Sequence, residues 1–196
     1  MEFDQMTDQE LIRVYGSGEE KGFATLLGRY QSKIYTSIYL LVKDHDLADD
    51  LFQETFIKVI QTLRRKMYLE EGKFLPWVMR IAHNLVIDHF RKQKKQPILV
   101  DIDMQDRMEG MGLSDESFET RMIHAQTMED LRACIRRLPD EQKEVLIMRH
   151  YGEMSFKEIA EVTDVSINTA LGRMRYAISN LRKMITDRDQ LVRLTG

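Results

Sequence analysis

Inward-facing residues recur three or four positions apart along almost the whole chain, and no stretch alternates apolar and polar as a half-buried strand requires. Phe23, Leu26, Leu27, Tyr30, Ile34 and Ile38 show this spacing, as do Leu51, Phe52, Thr55, Phe56, Val59, Ile60 and Leu63. Only three prolines and ten glycines interrupt 196 residues, so little stops a helix once it has begun. The expected class is all-α. A hydrophobic content of 43% supplies packed cores, and the length allows one or two domains.

Start and stop signals divide the pattern. Thr7-Asp8-Gln9-Glu10 reads as a capping box opening a first helix, which Gly16-Ser17-Gly18 ends. A long second helix runs to a break at Lys43-Asp44-His45-Asp46, with Asp46 as expected N-cap of the third. That helix ends near Leu63, and a fourth spans about Phe74 to Lys95, with Pro76 in its first turn. From Pro97 to Glu119 the periodicity stops. This stretch carries seven acids against the single base Arg107, a net charge of −6, and reads as a flexible acidic linker.

Helical spacing then returns. Arg121 to Arg137 is stopped by Leu138-Pro139, and Asp140 to Tyr151 follows. Ser155-Phe156-Lys157-Glu158 is a second capping box, opening a short helix that ends near Val162-Thr163. Ser166 then caps a helix to about Thr186. Two short helices across a tight turn form a helix-turn-helix, and Asp164 in that turn tolerates the left-handed conformation. The expected organisation is a helical bundle over residues 1–96, the linker over 97–120 and a helix-turn-helix domain over 121–196.

Charge and motifs exclude several classes. Lys plus Arg total 29 against 32 acids, a net charge of −3, so the chain has no basic coat overall. The one cysteine, Cys134, lies at helical spacing with Leu131, Ile135 and Leu138 and reads as a small buried hydrophobe. It has no partner within the chain, which suits a reducing cytosol. Met1 to Gln5 lacks the features of a signal peptide, and no apolar run approaches ~18 residues, so a cytoplasmic protein without membrane insertion is expected. The histidines His45, His83, His89, His124 and His150 form no zinc-ligand pattern, and no glycine-rich phosphate loop precedes a helix. No catalytic residue, cofactor or metal is therefore expected.

Three surfaces exceed what a core needs. On the third helix Asp50, Gln53, Glu54, Ile57 and Gln61 face outward together, placing an apolar residue inside an acidic and amide patch. Such a patch suits protein docking, although a lone exposed Ile is common. On the fourth helix Trp77, Arg80, Asn84, Asp88, Arg91 and Lys95 fall in one arc opposite the apolar side. Residues 88–95, with Lys92, sum to +3. A Trp among cations suits stacking on unpaired bases; equally, Trp77 beside Phe74 could cap the core of a solvated helix. The last helix presents Asn168, Gly172, Arg175, Tyr176 and Ser179 opposite a side of Ala170, Met174, Ala177, Ile178, Leu181 and Ile185, with Thr169 and Arg173 at the margin. Six bases against two acids between Arg173 and Arg193 give +4. A capped helix after a tight turn, with Asn and Arg near its start, is a major-groove reader. A one-component helix-turn-helix regulator shares that reader, but its sensor bundle has no use for a basic, Trp-bearing fourth helix.

Taken in order, these blocks resemble the extracytoplasmic-function group of the bacterial sigma-70 family of RNA polymerase factors. Asp49-Asp50-Leu51-Phe52-Gln53-Glu54-Thr55-Phe56-Ile57-Lys58 is similar to the family's polymerase-docking helix. Phe74-Leu75-Pro76-Trp77-Val78-Met79-Arg80-Ile81-Ala82-His83-Asn84-Leu85-Val86-Ile87-Asp88 is similar to its −10 promoter helix. Leu138-Pro139 through Arg173 is similar to its −35-binding domain. The resemblance implies a sigma-2-like helical bundle and a sigma-4-like helix-turn-helix domain, and a non-enzymatic transcription initiation factor.

It also implies roles for residues. Asp49, Asp50, Gln53, Glu54 and Ile57 would dock on the clamp helices of the polymerase largest subunit, and the second domain on the flap. Trp77, Arg80, Asn84, Asp88, Arg91, Lys92 and Lys95 would melt and hold the −10 element, with Tyr68 in a loop that encloses a flipped base. Ser166, Asn168, Thr169, Gly172, Arg173, Arg175, Tyr176 and Ser179 would read the −35 element of promoter DNA. Leu171 and Gly172 stand where the family commonly has a basic and a hydroxyl residue, which alters the hydrogen-bonding capacity of that reader. The group further implies an anti-sigma factor as partner, which no residue here reports.

Overall fold

A computed structural model describes residues 3–65, 67, 68, 72–95 and 118–195, and every regular element among them is helical. After a 3-10 turn at Phe3–Gln5 come α1 (Asp8–Gly16), α2 (Glu20–Val42), α3 (His45–Arg64) and α4 (Phe74–Lys95), then α5 (Phe118–Arg136), α6 (Asp140–His150), α7 (Phe156–Val162) and α8 (Ile167–Thr195). The acidic linker expected over 97–120 lies outside the described residues except at 118–120, which already belong to α5.

Local chemistry sets most boundaries. Both capping boxes form: Thr7 Oγ1 accepts from the Glu10 amide while Glu10 Oε2 accepts from the Thr7 amide at 2.7 Å, and Ser155 and Glu158 repeat the exchange. Each satisfies two backbone donors that a helix start leaves orphaned. The N-cap of α3 is Asp44 rather than Asp46. Its carboxylate accepts from Leu47 N–H at 2.8 Å, and Asp46 lies inside the first turn, where its charge meets the positive end of the helix. Lys43 ends α2 with φ of 60°. In the helix-turn-helix, Asp164 takes φ of 52°, as its residue type allows, and Val165 N–H reaches back to Ala160 O at 3.0 Å. Ser166 caps α8 by accepting from Thr169 N–H at 3.0 Å.

The first four helices pack on one another around Leu11, Leu26, Ile34, Ile38, Val59, Phe74 and Val78, all fully buried. α1 sits so close to α2 that a Cβ on Gly22 would meet Leu11 O at 2.6 Å, so only glycine permits this approach. Asp8 fastens the same pair, accepting from Arg29 Nη1 at 2.6 Å and the Tyr30 hydroxyl at 2.7 Å. Burial, aided by the Asp8 carboxylate, pushes the Tyr30 hydroxyl up to about 12. The same core continues through Ile135, Leu138, Val145, Ile147, Ile159, Ala170 and Ala177, where α5 and α6 pack on α2, and Cys134 is buried as well. Ile178 and Ile185, expected inside, are 37% and 41% exposed. They lie on the shoulder of the α8 stripe, whose centre is Ala170, Ala177 and Leu181, and the helices beneath α8 cover only that centre.

Candidate nucleic-acid and protein-docking faces

The outer face of α3 is built as its periodicity requires. Leu51, Thr55, Phe56, Val59 and Leu63 are buried, and the Thr55 hydroxyl is satisfied by donating to Leu51 O at 2.7 Å. That leaves Asp50, Gln53, Glu54 and Ile57 exposed side by side, with Ile57 at 54%. Glu54 pairs with Lys58 at 3.3 Å, a solvated contact one turn apart that leaves the carboxylate accessible. Asp49 turns toward α2; burial and the neighbouring Asp49 carboxylate raise the Tyr35 hydroxyl above its ordinary range.

On α4 the Trp77 ring lies 4.4 Å from Tyr68 and 5.8 Å from Phe74, so it does pack on the core. It also borders a cavity of about 310 Å³, walled by Tyr68, Lys73, Pro76 and Arg80. The structure thus gathers Tyr68, Trp77 and Arg80 at one place. Asn84, Asp88, Arg91 and Lys92 continue as an exposed row along the same helix, which Lys95 ends. Asp88 is bridged to Arg91 at 3.4 Å.

The far wall of that cavity comes from Met154 and Glu158 of the second helical group. Lys73 Nζ reaches Glu158 at 2.9 Å and Arg80 reaches Glu161 at 3.4 Å. Burial opposes ionisation of Glu158, but hydrogen bonds from the Ser155 hydroxyl and Lys73 outweigh it and hold the carboxyl at about 2. A second flank of α4 is covered as well. Leu75, Met79 and His83 are buried at 3%, 3% and 7% exposure, and His83 Nε2 meets Glu144 of α6. The sequence wheel missed this flank. Its signal was the spacing of Leu75, Met79 and His83 at one residue per turn, beside the main apolar side.

At the start of α8, Ser166, Asn168, Thr169, Arg175, Tyr176 and Ser179 are exposed, Tyr176 at 68%. A Cβ on Gly172 would meet nothing, so this glycine is an open spot in the face. Arg173 turns inward and pairs with Glu141 of α6 at 3.4 Å. Among the described residues there is no group of three or more His, Cys, Asp or Glu that could hold a metal, and no helix long and apolar enough to cross a membrane.

Comparison with known proteins places family matches on both halves. Sigma-70 region 2 matches residues 26–96, which include the α3 and α4 faces, and Sigma-70, region 4 matches residues 128–175, which include the helix-turn-helix. An ECF RNA polymerase sigma-E factor of Haemophilus influenzae is 29% identical over 191 residues, covering 95% of this chain and 97% of that one. The ECF RNA polymerase sigma factor SigW of Bacillus subtilis is 26% identical over 189 residues, covering 93% and 99%. Among solved structures, the sigma factor RpoE in complex with the anti-sigma factor NepR from Bartonella quintana superposes with a TM-score of 0.63 at 19% identity, covering 85% of this chain and 98% of that one. CnrH in complex with the cytosolic domain of CnrY gives 0.59 at 20% identity, covering 92% and 97%. At such identities the two structures speak to the fold.

Proposed function

Since this chain belongs to the sigma-70 family of RNA polymerase sigma factors, in its extracytoplasmic-function group, we propose that its three exposed faces divide the family's work between them. It is a sigma factor that directs transcription initiation. Asp49, Asp50, Gln53, Glu54 and Ile57 dock on the clamp helices of the polymerase largest subunit, where an apolar residue inside a polar rim has the make-up of an interface centre. The α4 row captures the −10 element as it melts. Trp77 offers a ring for an unstacked base, Arg80 and Lys73 offer charge for the backbone, and the cavity beside Tyr68 encloses what has been turned out. The start of α8 reads the −35 element as duplex, with Asn168, Arg175 and Tyr176 toward base edges and Ser166 and Thr169 near phosphate. The second domain also rests on the polymerase flap.

No step is catalysed by this chain: it positions DNA for the polymerase, in the cytoplasm. An anti-sigma factor is a proposed partner, as for the two solved neighbours. The observation that carries the reading is the joint order of three faces, one acidic with an apolar centre and two basic. An overall negative chain with two small basic faces binds DNA poorly by itself. Held on polymerase, both faces act at high effective concentration.

The docking assignment is tested by capture of core RNA polymerase on the immobilised protein. Glu54→Lys reverses a charge on an exposed residue without touching the core, so it is expected to abolish capture while the circular dichroism spectrum stays helical. Undiminished capture would place the docking surface elsewhere.

A further inference from the structure

The polar residues at the start of α8 stand beside an apolar edge. Ser166 caps the helix, so Ile167 is its first residue. At 3.6 residues per turn, the first, second, fifth, sixth and ninth positions of a helix fall within one arc of about 140°. On α8 these are Ile167, Asn168, Leu171, Gly172 and Arg175. The fully buried Ala170 and Ala177 lie away from that arc. Ile167 is 46% exposed and Leu171 is half-buried. Neither packs on the core that takes up Met174 and Leu181 further along the helix. One turn apart, the two are neighbours on the helix surface. A Cβ on Gly172 would meet nothing within 4 Å, so the backbone next to Leu171 is open.

We propose that Ile167 and Leu171 read the 5-methyl groups of thymines in the −35 element. This rests on the reading of α8 as the −35 reader. A side chain without donors or acceptors cannot use the hydrogen-bonding edges of the major groove, and the thymine methyl is the one apolar group that the bases present there. Asn168 and Arg175, exposed on the same arc, supply the polar contacts, and the bare backbone at Gly172 lets the groove come close. The selectivity is that of one methyl group taken out of water, about threefold to fivefold in affinity per thymine.

The test uses full-length protein on core RNA polymerase and a labelled promoter duplex, with binding read by fluorescence anisotropy. Each thymine of the −35 element, on either strand, is replaced in turn by deoxyuridine, which deletes the methyl and keeps the pairing edge. Binding should weaken by that factor at one or more of these positions, and not on the same replacement outside the element. In Ile167→Ala and in Leu171→Ala the difference between thymine and deoxyuridine should disappear at the position each residue touches. Alanine keeps the helix, and the deoxyuridine arm alters only the DNA, so misfolding cannot imitate the result. If no deoxyuridine weakens binding while a scrambled −35 element does, the methyl reading is overturned and α8 remains the reader. A scrambled element bound as tightly as the original overturns α8 as reader, and the proposal with it. A deoxyuridine effect that persists in both variants assigns the methyl to other residues and also overturns the proposal.

Discussion

α4 and α8 are built to the same plan and treated differently by the fold. Each is long, each has an apolar side on its own core, and each turns cations and a large aromatic ring outward. On α4 the ring is Trp77, packed against Tyr68 and Phe74, and the cations Arg80 and, just before the helix, Lys73 are paired with carboxylates from the other half of the chain. On α8 the ring is Tyr176, 68% exposed, and the row from Asn168 to Ser179 faces solvent, with Arg173 alone turned inward to Glu141. A face that meets melted DNA needs an enclosing pocket and fixed rings. A face that meets duplex needs a protruding edge free to enter a groove. Enclosure has a consequence: a pocket can be filled by the protein's own acidic residues, whereas a protruding edge is harder to cover.

Truncating the two rings gives the largest expected contrast. Trp77→Ala removes contacts with Tyr68 and Phe74 and should cost about 3 kcal/mol in urea unfolding, whereas Tyr176→Ala should stay within about 0.5 kcal/mol. Equal costs would break the distinction between an enclosed and a protruding face.

The ionic partners come next. His83→Ala leaves Glu144 without its buried partner and should destabilise by about 2 kcal/mol. Glu141→Ala frees Arg173 at a site where the carboxylate is 72% exposed, and should cost under about 1 kcal/mol.

A pH profile separates the faces further. The folded-state value of Glu158, about 2, lies below its ordinary 4.5, so ionised Glu158 stabilises the fold. That contribution is complete above pH 4.5 and is lost as pH falls from 4.5 toward 2. Glu158→Gln should flatten the stability profile in that window, and a slope unchanged by the substitution would contradict the role of Ser155 and Lys73 in holding the charge.

The open face depends on its own cap. Ser166→Ala removes the cap of α8 and should cost about 1 kcal/mol by thermal unfolding, with no change in Trp77 fluorescence.

The parts of this fold legible from sequence are those decided within one helical turn. Thr7 with Glu10 and Ser155 with Glu158 announced two helix starts because their hydrogen bonds span three residues. The outward set on α3 was legible because one helix decides which side Ile57 takes. The placement of Asp44 over Asp46 as cap was not, since both carboxylates lie in one break and only the backbone course selects between them. The buried flank of α4 was least legible. Leu75, Met79 and His83 look like ordinary neighbours of the apolar side until α6 and the 151–155 loop arrive, and His83 meets a residue 61 positions away. For the same reason the cavity at Trp77 could be anticipated as a ring among cations, but not as a site closed by Met154 and Glu158.

Whether this chain needs polymerase to act on DNA is decided by one assay. Purified protein is offered promoter DNA, identified by mapping transcript starts after overproduction, with and without core RNA polymerase. Gel shift and run-off transcription are read on the same samples. A weak shift is expected from the protein alone, and specific run-off transcripts once core enzyme is added. Tight, sequence-specific binding by the protein alone, with no transcript on adding core enzyme, would contradict it.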